Sequence, residues 1–293
     1  MHYVADWLEL PSESGGTSKK FVHTWTPSSG EAADAPPAIV GNVVIVHGLG
    51  EHGGRYHSLA EKLTLAGFRV FAMDQQGHGK DHRPRGAIDS YESLLGDISD
   101  LLSWIGSTHD DRTILLGHSM GGNLALNHAL RIGSGYRGVI ASGPMIRAQR
   151  APGPIAEFLL RSWCWLRPRS SMKSTVIAER LMSDRAEIES FEKDELFHST
   201  LSLKLGAALI DSGRWALGNA HNLSVPMLVA HGDTDVLTCP DASKEFAERA
   251  GESCELKIWE GFLHDPFRCE GGDKVVASFV DFARRQLDAD RPQ

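Results

Sequence analysis

The chain has 293 residues, of which 41% are hydrophobic and 23% charged, the composition of a globular protein with enough apolar surface for a sizeable core. Its formal net charge of −8, with no stripe dense in Lys and Arg, argues against a polyanionic partner, so no nucleic-acid binding is expected. The length suits one large α/β domain carrying an insertion better than two independent units.

Met1-His2-Tyr3-Val4-Ala5-Asp6-Trp7 has neither a basic region nor an apolar run, so no secretory signal is expected. No apolar stretch approaches the roughly 20 residues that span a bilayer. Cys164, Cys239, Cys254 and Cys269 stand far apart without a C-x-x-C pair, so free thiols in a cytoplasmic protein are expected.

Residues 20–26, Lys-Phe-Val-His-Thr-Trp-Thr, alternate like a half-exposed strand, and the polar stretch 28–37 follows as a loop. Short, wholly apolar runs come next: Val43–Val46, Phe68–Met73, Thr113–Leu116, Gly138–Ala141, Met227–Ala230 and Leu256–Trp259. Helical patterns lie between them at Ser58–Leu63 and Ile98–Ile105, and a last helix is expected from about Asp273 to Leu287. Apolar strands separated by helices predict an α/β fold with a mostly parallel sheet flanked by helices on both faces.

Between about Arg147 and Asn222 the alternation stops, and the segment reads as several helices without strands. The predicted organisation is a core of residues 1–146 and 223–293 with a helical cap over 147–222. Within the cap, Ile155, Phe158, Leu159, Trp163 and Leu166 recur at helical spacing, with Trp165 beside them. This stripe is expected to cover a pocket and pack against it. The alternative is a transient membrane-surface contact assisted by Arg161, Arg167 and Arg169.

Gly117-His118-Ser119-Met120-Gly121-Gly122 follows an apolar strand and opens a good helix, Asn123–Leu130. A serine at such a turn is lifted out of the sheet at the carboxyl ends of its strands, and flanking glycines permit the steep backbone. Ser119 is therefore the candidate nucleophile. A serine hydroxyl needs an imidazole and a carboxylate, arriving in the chain order Ser, Asp or Glu, His. Two strands feed suitable loops: His231-Gly232-Asp233-Thr234-Asp235, and Gly261-Phe262-Leu263-His264. Spacing alone leaves Asp233 and Asp235 open, one fixing the turn and the other facing the histidine. His264 is favoured by its place after the last strand, while His2, His23, His109, His128, His198 and His221 read as surface or packing residues. No spacing suggests metal ligands, and neither metal nor cofactor is expected.

The glycine-rich loop His47-Gly48-Leu49-Gly50-Glu51-His52 follows an early strand and fits no phosphate-binding pattern. Such a loop supplies one backbone N–H to an oxyanion and the residue after the nucleophile supplies the other, here Leu49 and Met120.

With these motifs the sequence resembles the monoacylglycerol lipase and lysophospholipase branch of the α/β-hydrolases. His47–His52 with Arg55-Tyr56 resembles that family's oxyanion loop, and Asp74-Gln75-Gln76-Gly77-His78-Gly79 its D-x-x-G-H-G turn. The family's G-x-x-D and G-x-x-H motifs match Gly232–Asp235 and Gly261–His264, so the resemblance implies Asp235 and His264 as acid and base. Leu181–Asp184 and Lys193–His198 are similar to lid segments of bacterial members. It also implies that Glu51 and Arg55 lie near the polar, substrate-binding end of the pocket, where an ion pair holding the loop is the competing role. Gln76, often arginine in the family, is expected to be structural. Asp265-Pro266-Phe267 replaces the frequent Glu-Leu after the histidine.

The expected activity is hydrolysis of a carboxylic ester through an acyl-enzyme, with monoacylglycerol as first substrate and a lipid ester as small-molecule partner. Lysophospholipase or short-chain carboxylesterase activity is the alternative within enzymes, and a silent binding protein on the same scaffold the alternative outside them. Serine at the elbow disfavours dehalogenase and epoxide hydrolase chemistry. The oligomeric state is left open.

Overall fold

The computed structural model describes residues 1–11, 15–28, 38–151, 153–167, 170–173 and 177–288. Most of the loop expected over 28–37, Arg169, and the side chains of Leu159, Cys164 and Trp165 lie outside that description.

The strands in chain order are β1 (His2–Pro11), β2 (Thr17–Thr26), β3 (Gly41–Val46), β4 (Phe68–Met73), β5 (Thr113–His118) and β6 (Gly138–Ser142). Two short strands, β7 (Ser171–Lys173) and β8 (Thr200–Ser202), precede β9 (Met227–Gly232) and β10 (Cys254–Trp259). Eight of them form one sheet in the order β1-β2-β4-β3-β5-β6-β9-β10. The pairs β1/β2 and β2/β4 are antiparallel, and every later pair is parallel. All six apolar runs read from the sequence are strands of this sheet. The first strand, β1, was not anticipated. It is an edge strand whose only buried residue is Leu10, so it lacks the apolar signal of the inner strands.

Alternate residues of the central strands feed two separate cores. Val44, Val46, Phe71 and Met73 face α2 (Tyr91–Thr108), α3 (Met120–Arg131) and the later α7 (Pro240–Ala250). Val43, Ile45, Val70 and Ala72 face α1 (His57–Leu65) and α8 (Asp273–Asp288). Phe71, Phe246 and Phe279 are fully buried, each burial stabilising the fold by about 1.5–3 kcal/mol. Local signals agree with the packing: Ser90 caps α2 by accepting from Ser93 N–H at 2.9 Å, and Pro240 occupies the first turn of α7.

Between β6 and β9 the chain builds α4 (Pro154–Leu166), α5 (Arg185–Glu192) and α6 (Leu203–Asn219). It is not free of strands: β7 and β8 pair antiparallel, too short to register as a sequence pattern. The stripe on α4 also differs from expectation. Ile155, Phe158, Trp163 and Leu166 are 79%, 68%, 53% and 61% exposed, so this face points to solvent instead of packing on a pocket. The segment packs through α6, whose Leu205, Leu209 and Ala216 are buried, and through α5, whose Ile188 and Phe191 are buried with Leu181 and Met182. Cys239, Cys254 and Cys269 are free thiols. Among the described residues, no helix is long and apolar enough to cross a membrane.

Candidate active site

Parallel strands deliver their following loops to one edge of the sheet, and the loops after β3, β5, β9 and β10 carry the residues singled out above. Ser119 ends the turn between β5 and α3 with φ 56° and ψ −113°, the only non-glycine residue of positive φ among those described. The strain is tolerated because the turn is pinned. Ser119 N–H donates to Ser142 O at 2.9 Å, and Ser119 O accepts from Asn123 and Met145 N–H, each at 3.0 Å. A Cβ on Gly121 would collide with the Val46 carbonyl, so only glycine lets α3 approach β3 this closely.

His264 brings Nε2 to 2.8 Å from Ser119 Oγ, while its Nδ1 lies 2.7 Å from Asp235 Oδ2. Of the two candidate aspartates, Asp235 is the one that meets His264. Asp233 instead accepts from Gly261 N–H at 2.7 Å and fixes the turn. Asp235 Oδ1 accepts from the N–H groups of Leu237 and Thr238 at 2.7 and 3.0 Å. Burial would raise its carboxyl, but the charge of His264 and hydrogen bonds from His231 and His264 outweigh it and hold Asp235 far below the ordinary range. The converse holds for His264: burial lowers it, yet the Asp235 carboxylate wins and raises it above the usual imidazole value.

The glycine-rich loop is shaped by His47, whose Nδ1–H donates to Gly48 O at 2.8 Å while Nε2 accepts from Gln75 N–H at 2.9 Å. Glu51 Oε2 accepts from Gly48 N–H at 3.1 Å and from Tyr56 O–H at 2.8 Å. Neither Leu49 N–H nor Met120 N–H has a partner among the described residues, and both residues line the same cavity as Ser119. The D-x-x-G-H-G turn supports the loop from behind. Asp74 accepts from Gly53 and Lys80 N–H, each at 2.8 Å, and meets His23 Nε2 at 3.2 Å. Gln76 donates to Asp97 and Ser93 at 2.9 and 3.0 Å and is buried, in keeping with a structural role.

A cavity of about 530 Å³ opens over Ser119, walled by Leu181, Phe191, Phe197, Leu201, Leu209 and Ile210. Polar lining comes from Glu51, His118 and Asp265, and also from Arg150 and Thr238. Of the two residues expected there, Glu51 reaches the cavity and Arg55 does not. Arg55 Nε donates to Glu51 at 3.0 Å and Nη1 to Asp194 at 3.2 Å, so it braces the loop against the insert. Burial raises the Glu51 carboxyl, but Arg268, Arg55 and His118 hold it well below its usual range.

Sequence reasoning missed three partners. His118 donates Nδ1–H to Ser142 O at 3.0 Å and pairs through Nε2 with Asp265. Arg268, only 3% exposed, reaches Glu51 at 2.7 Å, Asp265 at 3.0 Å and Glu187 of α5 at 3.5 Å. His231 donates to Asp235 Oδ2 at 3.0 Å. The sequence signal nearest to the first two was the departure Asp265-Pro266-Phe267 after His264.

Fold and site together define a serine hydrolase of the α/β-hydrolase class. The family described as Serine aminopeptidase, S33 matches residues 37–270. Over 259 residues the chain is 30% identical to a monoacylglycerol lipase of Mycolicibacterium smegmatis, covering 87% of this chain and 89% of that protein. Over 277 residues it is 27% identical to an abhydrolase domain-containing protein of Dictyostelium discoideum, spanning 91% of this chain but 28% of that protein. A crystal structure of a Paleococcus ferrophilus monoacylglycerol lipase matches with TM-score 0.78 and 26% identity, over 98% of this chain and 100% of that one. The chain belongs to the Serine aminopeptidase, S33 family of α/β-hydrolases, within the part of it that holds monoacylglycerol lipases, and it is a carboxylic ester hydrolase.

Proposed function

We propose that the protein hydrolyses monoacylglycerol through an acyl-enzyme on Ser119. The observation that carries this reading is the unbroken Ser119–His264–Asp235 hydrogen-bond line opening into a largely apolar cavity. His264 takes the Ser119 proton as Oγ attacks the ester carbonyl, and the Leu49 and Met120 N–H groups hold the oxyanion. The intermediate expels the alcohol, which leaves with the proton from His264. Water, deprotonated by His264, then releases the fatty acid and restores Ser119. Asp235 orients the imidazole and balances its charge. Glu51 offers a carboxylate to the alcohol end of the substrate, and Arg55 acts through Glu51 as a brace.

Residues 147–222 serve in this reading as the lid, with α6 as roof. The exposed face of α4 is the part suited to a transient contact with a lipid surface carrying substrate. Of the three arginines expected to assist, Arg161 is occupied by Glu157 and Asp211, and Arg167 is the other one among the described residues.

The test is hydrolysis of 1-monoacylglycerols of increasing chain length, with Ser119→Ala as control. Release of medium- or long-chain fatty acid by wild type alone supports the reading. Turnover of short activated esters only would make the protein a general esterase, and silence toward every ester would return the binding-protein alternative.

A further inference from the structure

The acid of the candidate triad has a second histidine on it. His231, on β9, is fully buried, and its Nε2 lies 3.0 Å from the same Asp235 Oδ2 that meets His264 Nδ1 at 2.7 Å. Thr238 Oγ1 donates to that oxygen as well, at 2.6 Å. On the far side of the ring, His231 Nδ1 lies 2.8 Å from Ser243 Oγ, a buried hydroxyl on α7.

These contacts fix the hydrogens. Nε2 faces a carboxylate, which only accepts, so Nε2 carries a proton. Burial keeps the ring neutral, since desolvation outweighs the Asp235 carboxylate and lowers the His231 imidazole below its usual value. Nδ1 therefore has a lone pair, and Ser243 must donate to it. The result is two donor chains that converge on Asp235 Oδ2, one from Ser243 O–H through His231 and the other from Ser119 O–H through His264.

We propose that His231 is a positioning residue for hydrolysis: a neutral imidazole, its tautomer set by Ser243, whose Nε2–H keeps Asp235 Oδ2 aimed at His264. The inference rests on the Ser119–His264–Asp235 reading above. Its physical basis is that a carboxylate rotates readily about its last torsion, and backbone donors hold only Oδ1. Oδ2 needs its own fixed donors, or it drifts from the line to His264. His231 touches neither substrate nor Ser119, so its effect appears in turnover and not in substrate affinity.

The experiment compares wild type with His231→Leu, His231→Gln and Ser243→Ala, measuring kcat and KM on 4-nitrophenyl octanoate together with Tm. His231→Leu is expected to lower kcat about ten- to a hundredfold with KM within about twofold, the loss of one hydrogen bond to a charged group. His231→Gln, whose amide N–H can occupy the place of Nε2–H, is expected to recover most of that loss. Ser243→Ala, which frees the tautomer, is expected to lower kcat by about three- to tenfold. A wild-type kcat in His231→Leu overturns the proposal, as does a loss that Gln does not repair. If the leucine variant fails to fold, wild-type kcat in both other variants overturns it. No turnover by wild type removes the hydrolase reading itself, and this proposal with it.

Discussion

Arg268 Nη1 lies 2.7 Å from Glu51 Oε1, fastening the turn after His264 to the glycine-rich loop after β3. The same guanidinium holds Asp265 and donates to the Arg55 carbonyl at 3.0 Å. Burying these charges is tolerable only because each meets an opposite one; a lone carboxylate in the same place would be costly. Arg268→Met should leave Glu51 and Asp265 short of a cation and lower the unfolding free energy by about 3–5 kcal/mol. Urea denaturation would measure this, and a change below about 1 kcal/mol would mean that the network contributes little. Arg268→Lys should restore only part of the loss, because an ammonium cannot reach three acceptors as a planar fork does.

The pH profile of kcat/KM should carry an acid limb set by His264. The base must be neutral to accept the Ser119 proton, so activity rises with pH through its pKa. The Asp235 carboxylate raises that value, which places the midpoint above the ordinary imidazole value of about 6.5. Asp235→Asn should move the midpoint down and lower kcat by about 10⁴-fold. A limb that stays in place in this variant would assign it to another group.

Asp74 predicts a second, purely structural pH effect. Burial favours its neutral form, but the His23 hydrogen bond and charge, with the Lys80 N–H, outweigh that and bring its pKa down to about 2. A folded-state pKa below the unfolded one gives stability that is present above about pH 4 and lost as pH falls toward 2. The contribution is on the order of 2 kcal/mol. Asp74→Asn should flatten stability across that window when unfolding is followed by fluorescence. An unchanged slope would show that other carboxylates dominate.

The exposed face of α4 should matter for aggregated substrate and not for dissolved ester. Phe158→Ser with Trp163→Ser should weaken co-sedimentation with phosphatidylcholine vesicles at least several-fold, since each buried aromatic contributes about 1.5–3 kcal/mol. Hydrolysis of 4-nitrophenyl butyrate should be unchanged. Equal sedimentation of variant and wild type would remove the lipid-surface role.

Signals that are local in sequence were legible. Val43–Val46 and Met227–Ala230 are apolar on both faces because both faces are covered, and the Ser119 elbow needs only its neighbouring glycines. The two segments expected from the resemblance to belong to a lid, Leu181–Asp184 and Lys193–His198, carry polar contacts of the stretch between β6 and β9. Asp184 caps α5, Asp194 binds His52 and Arg55, and His198 N–H donates to Gly50 O at 3.0 Å. The residues alone did not separate Asp233 from Asp235, because both sit in one turn and only the distant His264 distinguishes them. The α4 stripe was misassigned for a related reason. Helical periodicity reveals an apolar face but says nothing of what covers it. Partners such as His118 with Asp265, or Arg268 with Glu51, join loops remote in sequence and follow no spacing rule.

The attachment of the insert to the glycine-rich loop sets terms for recombination among relatives. Asp194 supplies a carboxylate to His52 and Arg55, and His198 engages Gly50 through its backbone and Gly77 O through Nε2 at 3.1 Å. A transplanted segment that lacked an aspartate at 194 would leave Arg55 with one fewer carboxylate beneath it, loosening the loop it was meant to roof. The described residues of α4 are tied to α6 through Arg161–Asp211 and Glu157–Arg214, with none bonded to the glycine-rich loop, so chimaeras that exchange α4 alone should keep that loop braced while altering the outer side of the cavity.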